Sequence, residues 1–180
     1  LTPETARILA AEKRVGELEF ENSRLKRGAS FSRGSSEQNY ETPAEFIRAV
    51  ERRFGPLKVD LAATAVNTKA PKYITPEQDS LLVPWPSSGL LWLNPPFSNI
   101  TPWAKKCVEN STIFHPTSKI LLLVPASVGS NWFRDYVHKK ALVLFLNGRI
   151  SFDGKNPYPK DCILVVYRYR PEYQIWTWRD

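Results

Sequence analysis

Asn94-Pro95-Pro96-Phe97, which directly follows the apolar run Leu90 to Leu93, offers a chemistry with few known uses. Two prolines fix φ and remove two backbone donors, so the carbonyl oxygens of this turn have no sheet duties and point outward. Beside them stand an amide side chain and an aromatic ring. The amide and carbonyl oxygens can accept the two hydrogens of a planar amino group while the ring stacks on the attached base. Methylating an exocyclic nitrogen of a nucleobase requires such a set. The plainer reading is a rigid turn with Phe97 in the core. From ordinary composition, Asn-Pro-Pro-aromatic arises by chance in roughly one chain of this size in several hundred, which favours the chemical reading.

A tetrapeptide of this kind needs a scaffold that presents it at a strand end. Thr42-Pro43-Ala44-Glu45 reads as a capping box with proline at the first helical position, and Phe46, Val50 and Phe54 continue the apolar face of that helix. Gly55-Pro56 ends it. Leu57 to Ala63 reads as a short strand carrying Asp60 at its end. Residues 64–89 are rich in Pro, Thr, Ser and Asn, with a short helix expected only around Glu77 to Leu82. After the Leu90–Leu93 strand, Thr101-Pro102 opens a helix through Trp103, Cys107 and Val108. Lys119 to Val124 is an unbroken apolar strand of the type found in a sheet covered on both faces. Ser130 should cap a helix over Asn131 to Lys140. Two further strands are expected at Ala141–Leu146 and Cys162–Tyr167, and an edge strand at Ile175–Trp178. Strands alternating with helices predict an open α/β sheet, whose ligands bind at the C-terminal strand ends. Asp60 and Asn94 both fall at such ends. Trp85 and Trp92 read as core residues rather than DNA-stacking ones.

The chain has 180 residues and a formal charge of +7. Seven Lys/Arg against six Glu give residues 1–40 a net of +1, so +6 belongs to the remainder. A basic domain suits a polyanionic partner, although surplus charge also serves solubility. Cys107 and Cys162 are far apart, which implies neither a disulfide framework nor a zinc site. His115 and His138 are isolated and read as surface or structural groups, and no metal is expected. No run approaches the roughly 18 apolar residues of a membrane span, and no signal-peptide pattern opens the chain. It begins at Leu1 and contains no Met, as expected of a trimmed chain, and a cytoplasmic location follows by default.

Residues 1–27 differ from the rest. Ile8, Ala11, Val15, Leu18, Asn22 and Leu25 occupy the a and d positions of a heptad repeat, with Asn22 at an a position that tends to fix register and a two-stranded state. So short a helix is marginal alone. Homodimerisation through a coiled coil is the favoured reading; packing of the stripe on its own domain is the other. Residues 28–39 form a Gly/Ser-rich flexible linker, and the domain proper is expected over residues 40–180.

Taken in order, Tyr40-Glu41-Thr42-Pro43, Val59-Asp60-Leu61-Ala62-Ala63 with Asn67 and Lys69, Tyr73-Ile74-Thr75, Asp79-Ser80-Leu81, Trp85, Trp92 to Ser98 and Trp103 form a familiar series. Leu123-Val124-Pro125-Ala126 and Gly148-Arg149-Ile150-Ser151-Phe152 extend it. Over roughly residues 40 to 170 the chain resembles the phage-type DNA adenine-N6 methyltransferases, a Dam-like family that uses S-adenosylmethionine. The resemblance implies a Rossmann-like methyltransferase sheet, here preceded by the N-terminal coiled-coil helix, in a phage- or prophage-encoded protein of a bacterial host cell. It implies double-stranded DNA as partner and Asn94, Pro95, Pro96 and Phe97 as the catalytic set, with Phe97 stacking on a flipped base. Thr42 and Pro43 resemble the segment that closes on the methionine part of the cofactor. Asp79 is implied near the cofactor's adenine, and Asp60 near its amino-acid part or ribose. The glycine-rich loop usual in the wider class is replaced by Asp60-Leu61-Ala62-Ala63, which makes Ala62 a contact candidate.

Each acid could instead be a helix cap or surface carboxylate, and Thr42 has a full structural explanation as an N-cap. Arg134, Arg149 and Lys155, with Lys139, Lys140 and Lys160, are candidates for phosphate contacts. Most surface Lys and Arg are simply solvated. The two motifs leave no room between them for a large recognition domain, so target reading is expected from loops at 64–78, 98–102, 126–131 and 147–160. Rival readings are amino methylation of RNA or of protein glutamine, where Asn-Pro-Pro-aromatic also occurs, and a non-catalytic dimeric DNA-binding protein on the same fold. Cytosine-N4 methylation fits less well, because Ser usually replaces Asn there.

Overall fold

The computed structural model describes residues 41–112 and 117–179. The expected heptad segment and linker, and with them the dimer, lie outside the described residues, as does His115. No helix among the described residues is long and apolar enough to cross a membrane.

One mixed sheet organises these residues. Its strands are β1 (Val59–Asp60), β2 (Lys72–Tyr73), β3 (Leu90–Leu93), β4 (Lys119–Pro125), β5 (Ala141–Asn147), β6 (Cys162–Tyr167) and β7 (Glu172–Thr177), in the order β2-β1-β3-β4-β6-β5-β7. The β2-β1-β3-β4 half is parallel. β6 runs antiparallel to β4 and β5, and β7 closes the far edge parallel to β5. Among the described residues three helices pack on the sheet: α1 (Ala44–Phe54), α2 (Thr101–Thr112) and α3 (Asn131–Tyr136).

Side chains alternate between the faces of a strand, and the core divides accordingly. Leu90, Trp92, Leu121, Leu123, Leu164 and Val166 face α1, where Phe46 and Val50 are fully buried. Leu91, Leu93, Ile120, Leu122, Val124 and Val165 face α2 and α3, meeting Ala104, Cys107, Trp132 and Phe133. Both faces are therefore covered, as the unbroken apolar run of β4 predicts. Trp85 and Trp92 are both buried, and the Trp85 indole N–H donates to the Ser80 carbonyl and hydroxyl.

Six sequence expectations need correction. The strand expected over Leu57–Ala63 is only Val59–Asp60, and the edge strand expected over Ile175–Trp178 runs Glu172–Thr177. Pro43, not Thr42, occupies the N-cap of α1, and its carbonyl accepts from Phe46 N–H at 3.0 Å and Ile47 N–H at 3.2 Å. The proline's extended ψ starts the helix one residue late, so the Thr42 hydroxyl caps nothing. The expected helix at Glu77–Leu82 is only a 3-10 turn, Pro76–Gln78, closed by a Thr75–Gln78 capping box and stopped by Asp79 at φ 51°. Helix α3 ends at Tyr136 rather than Lys140: Val137 leaves helical geometry at φ −122°, and Lys139 then turns into the left-handed region before β5. Ser130 sits at the cap of α3, but its hydroxyl donates to the Ser127 carbonyl instead. The two-residue strand β2 has no sequence signal of its own.

Candidate active site

From β1 the chain moves to β2 on one side and then returns across it to β3 on the other. That reversal opens a crevice at the C-terminal ends of β1 and β3, where ligands of open α/β sheets bind. Asp60 pairs in register with Trp92, so both side chains share the α1 face. Asn94, two residues beyond Trp92, keeps the same parity. A cleft of about 290 Å³ lies there, lined by Thr42, Asp60, Ala62, Asn94, Pro95 and Pro96. Asp79, Ile74, Asn67, Trp92 and Trp103 also stand among its walls.

Seven of the nine catalytic and cofactor candidates thus meet in one cleft. Pro43 and Phe97 are the two that do not line it. Pro43 directs the chain into α1. Phe97 is half-buried and packs edge-to-face against Phe152 at 5.9 Å and Tyr158 at 5.8 Å, which themselves meet at 5.4 Å. Neither ring contact is legible in the sequence, although Phe152 stands in the motif series and both residues fall in the 147–160 loop expected to read the target.

Asp60 is only 3% exposed. Its carboxylate accepts from Lys69 N–H at 2.9 Å and from Ala62 N–H at 3.3 Å, shaping the loop that replaces a glycine-rich turn. Burial raises its pKa, and those two hydrogen bonds and the Lys69 charge act against the rise. The Lys69 ammonium pairs with Glu41 at 2.6 Å, tying residues 41–42 to the same loop. Asn94 Nδ2 donates to Thr42 Oγ1 at 3.0 Å, and Thr42 is 2% exposed. Asp79 is exposed at the rim and accepts from Leu81 N–H.

A second support was not foreseen. Lys106 on α2 donates to the carbonyls of Ser80, Leu81 and Val83 at 2.7, 3.0 and 2.6 Å. Its ammonium also lies 5.1 Å from the Trp85 ring centre. Desolvation lowers the Lys106 pKa, against the nearby charges of Asp79 and Glu109. Lys106 thereby fixes the turn that follows Asp79. The signal for it was its place three residues after Trp103, on one helix face.

The basic candidates separate by sheet edge. β4 and β5 run in the same direction, so the segment after Asn147 emerges at the edge that carries Asn94. Arg149, Lys155 and Lys160 lie on that segment, which closes through Arg149 Nε to Asp161 at 3.0 Å and Tyr158 N–H to the Ile150 carbonyl at 2.7 Å. Lys139 and Lys140 precede Ala141, at the opposite edge. Arg134 is exposed on α3 and pairs with Asp135 at 2.6 Å. His138, also exposed, bonds the Tyr173 hydroxyl.

Residues 30–166 match the family DNA N-6-adenine-methyltransferase (Dam). The chain is 33% identical over 126 residues to the DNA N-6-adenine-methyltransferase of Haemophilus phage HP1 (strain HP1c1), covering 68% of this chain and 70% of the relative. It is 28% identical over 114 residues to the DNA N-6-adenine-methyltransferase of Escherichia phage T1, covering 63% of this chain and 47% of that longer relative. With three-quarters of its length matched by the family, and Asn94-Pro95-Pro96 and Asp60 lining one cleft, the chain belongs to the DNA N-6-adenine-methyltransferase (Dam) family.

Proposed function

We propose that this protein transfers a methyl group from S-adenosylmethionine to the exocyclic amino group of adenine in DNA. The observation that carries this reading is the meeting of Asn94-Pro95-Pro96 and Asp60 in one cleft, at neighbouring strand ends, in a member of this family. The parallel β2-β1-β3-β4 half, with its reversal at β1, supports reading the sheet as Rossmann-like and cofactor-binding.

The cleft suits the cofactor chemically. Ile74, Trp92 and Trp103 offer apolar walls for an adenine ring, while the Asp60 and Asp79 carboxylates suit hydroxyl groups or a cationic amine. Thr42 and Ala62 flank the same space. When bound, S-adenosylmethionine supplies an electrophilic methyl on a sulfonium.

The adenine amino nitrogen is a poor nucleophile, because its lone pair is delocalised into the ring. Asn94 Oδ1 and the Pro95 carbonyl accept its two hydrogens and favour a pyramidal nitrogen. Pro96 holds the turn, and Phe97 stacks on a base drawn out of the duplex. No general base is required; alignment and preorganised acceptors supply the rate. The 149–161 segment carries Arg149, Lys155 and Lys160 toward DNA phosphates. Two copies pair through the heptad residues 1–27, an arrangement that sedimentation of the full chain would check.

The test is calorimetric binding of S-adenosylmethionine, followed in the same preparation by methyl transfer to unmethylated DNA. Asn94→Ala should keep the fold and cofactor binding and lose about 100-fold or more in transfer rate, the scale of removing one preorganised transition-state contact. Near-wild-type transfer by that variant would overturn the mechanism.

A further inference from the structure

We infer that Thr42 is a positioning residue that holds the amide nitrogen of Asn94, leaving its buried Oδ1 as the end offered to the reacting amino group. The inference rests on the methyl-transfer reading above.

Asn94 and Thr42 are 52 residues apart, yet Nδ2 donates to Oγ1 at 3.0 Å. Thr42 is not spent on capping α1, since Pro43 takes that place. Its own position is rigid. Pro43 fixes the next φ at −65°, and α1 is seated by the fully buried Phe46, which meets the Trp92 ring at 6.3 Å. Trp92 is two residues before Asn94 on the same strand end. Helix α1 and strand β3 are therefore registered to each other where the hydroxyl and amide meet.

The chemistry explains why such an anchor matters. An amide has one acceptor end and one donor end of nearly equal size, and rotation by 180° about its last torsion exchanges them at little steric cost. Only the observed orientation serves the reaction. A hydroxyl could also donate to a turned amide, but that state would aim an NH₂ group at the substrate's NH₂ group, donor against donor. By accepting from Nδ2, Thr42 holds the amide plane and the acceptor end together.

Three variants test this. Thr42→Val removes the hydroxyl and nearly keeps the shape, Thr42→Ser keeps the hydroxyl, and Asn94→Asp places an oxygen at both ends of the group. Thr42→Val should lower kcat for DNA about 5- to 50-fold, the range for loss of one hydrogen bond to a buried group. The Kd for S-adenosylmethionine should change less than about 3-fold, since Thr42→Val nearly keeps the shape of the cleft wall that Thr42 forms. Thr42→Ser should stay within about 3-fold of wild type on the same argument. In the Asn94→Asp background the Thr42→Val loss should shrink, because either orientation of a carboxylate presents an acceptor.

A second readout is independent of turnover. In ¹⁵N spectra of the side-chain amides, the Asn94 pair is identified by its absence in Asn94→Asp. One of its protons should carry a hydrogen-bond shift that Thr42→Val abolishes and Thr42→Ser preserves. An Asn94 amide signal indifferent to Thr42→Val, an equal loss in both backgrounds, or a Thr42→Ser as impaired as Thr42→Val would overturn the inference. If the wild type methylates no DNA, the reaction itself has been misread, and the amide spectrum still decides whether Thr42 holds Asn94. Should Thr42→Val fail to fold, Thr42→Ala with the same two readouts replaces it.

Discussion

The backbone N–H of Lys69 donates to the Asp60 carboxylate at 2.9 Å across nine residues, closing the loop after β1 from the inside. Many dinucleotide and cofactor sites shape this turn with glycines. Here a buried acid does it, with Ala62 N–H on its other oxygen and the Lys69 ammonium reaching on to Glu41. One residue thus joins the loop, the strand end and the segment carrying Thr42.

Asp60→Ala should leave two loop N–H groups without their acceptor and cost about 1–3 kcal/mol of stability. Cofactor affinity should fall with it, because Ala62 and Asn67 line the cleft from this loop. Thermal unfolding and calorimetry on one preparation read both. A variant that binds S-adenosylmethionine as tightly as wild type would remove Asp60 from the cofactor site.

Two acids give opposite pH signatures. The pKa of Asp60 is raised by burial from the ordinary 3.8, so its contribution to stability is greatest below that value and is lost as pH rises through its folded pKa. Asp153 is held well below 3.8, chiefly by the Asn156 and Lys155 backbone N–H groups. Its contribution is present above 3.8 and is lost as pH falls below that value toward the folded pKa. Asp153→Asn should therefore flatten the acid limb of a Tm-against-pH curve, and Asp60→Asn should steepen it. Parallel curves for both variants and wild type would contradict these assignments.

Lys106→Met keeps the aliphatic stem on α2 and deletes three hydrogen bonds to carbonyls. A loss of about 2 kcal/mol is expected for removing charged hydrogen bonds from a partly buried site. The turn after Asp79 should loosen, seen as faster hydrogen exchange over residues 79–83. Unchanged exchange there would show that α2 does not hold the turn.

The sheet edge on which each cation stands predicts its effect on DNA. Lys155→Gln with Lys160→Gln should weaken binding and reduce the slope of log affinity against log salt by about 1.8, since each phosphate contact contributes about 0.9. Lys139→Gln with Lys140→Gln, at the opposite edge, should leave the slope unchanged. The reverse result would place DNA on the other side of the sheet.

Phe152 and Tyr158 pack edge-to-face against the ring of Phe97. Phe152→Ala should lower kcat/KM for DNA about 3- to 30-fold, as expected for one or two lost aromatic pairs. Fluorescence of 2-aminopurine at the target position should fall in parallel, while cofactor affinity stays. Unaltered base extrusion would make this cluster a packing feature alone.

The sequence by itself determined the chemistry and most of the scaffold. Asn94-Pro95-Pro96-Phe97 is local: its donors and acceptors follow from proline, an amide and a ring, wherever the chain carries them. β3 and β6 end where their apolar runs end, because a strand covered on both faces has a continuous hydrophobic signature. The strand around Asp60 is legible but reads too long, Leu57–Ala63 against Val59–Asp60, and β2 is not legible at all, since two-residue strands exist only through neighbours that arrive from elsewhere. Tertiary structure alone decided the partnerships. Thr42 reads as a cap from its sequence neighbours, yet Pro43 takes the cap and the packing of Phe46 on Trp92 turns the hydroxyl to Asn94. Lys106 and Lys155 are both lysines near polar turns, and nothing local says that one clamps three carbonyls while the other faces water. Such roles depend on which chain segments meet across 20 to 60 residues, and that is settled by the strand order and by which face of the sheet each side chain takes.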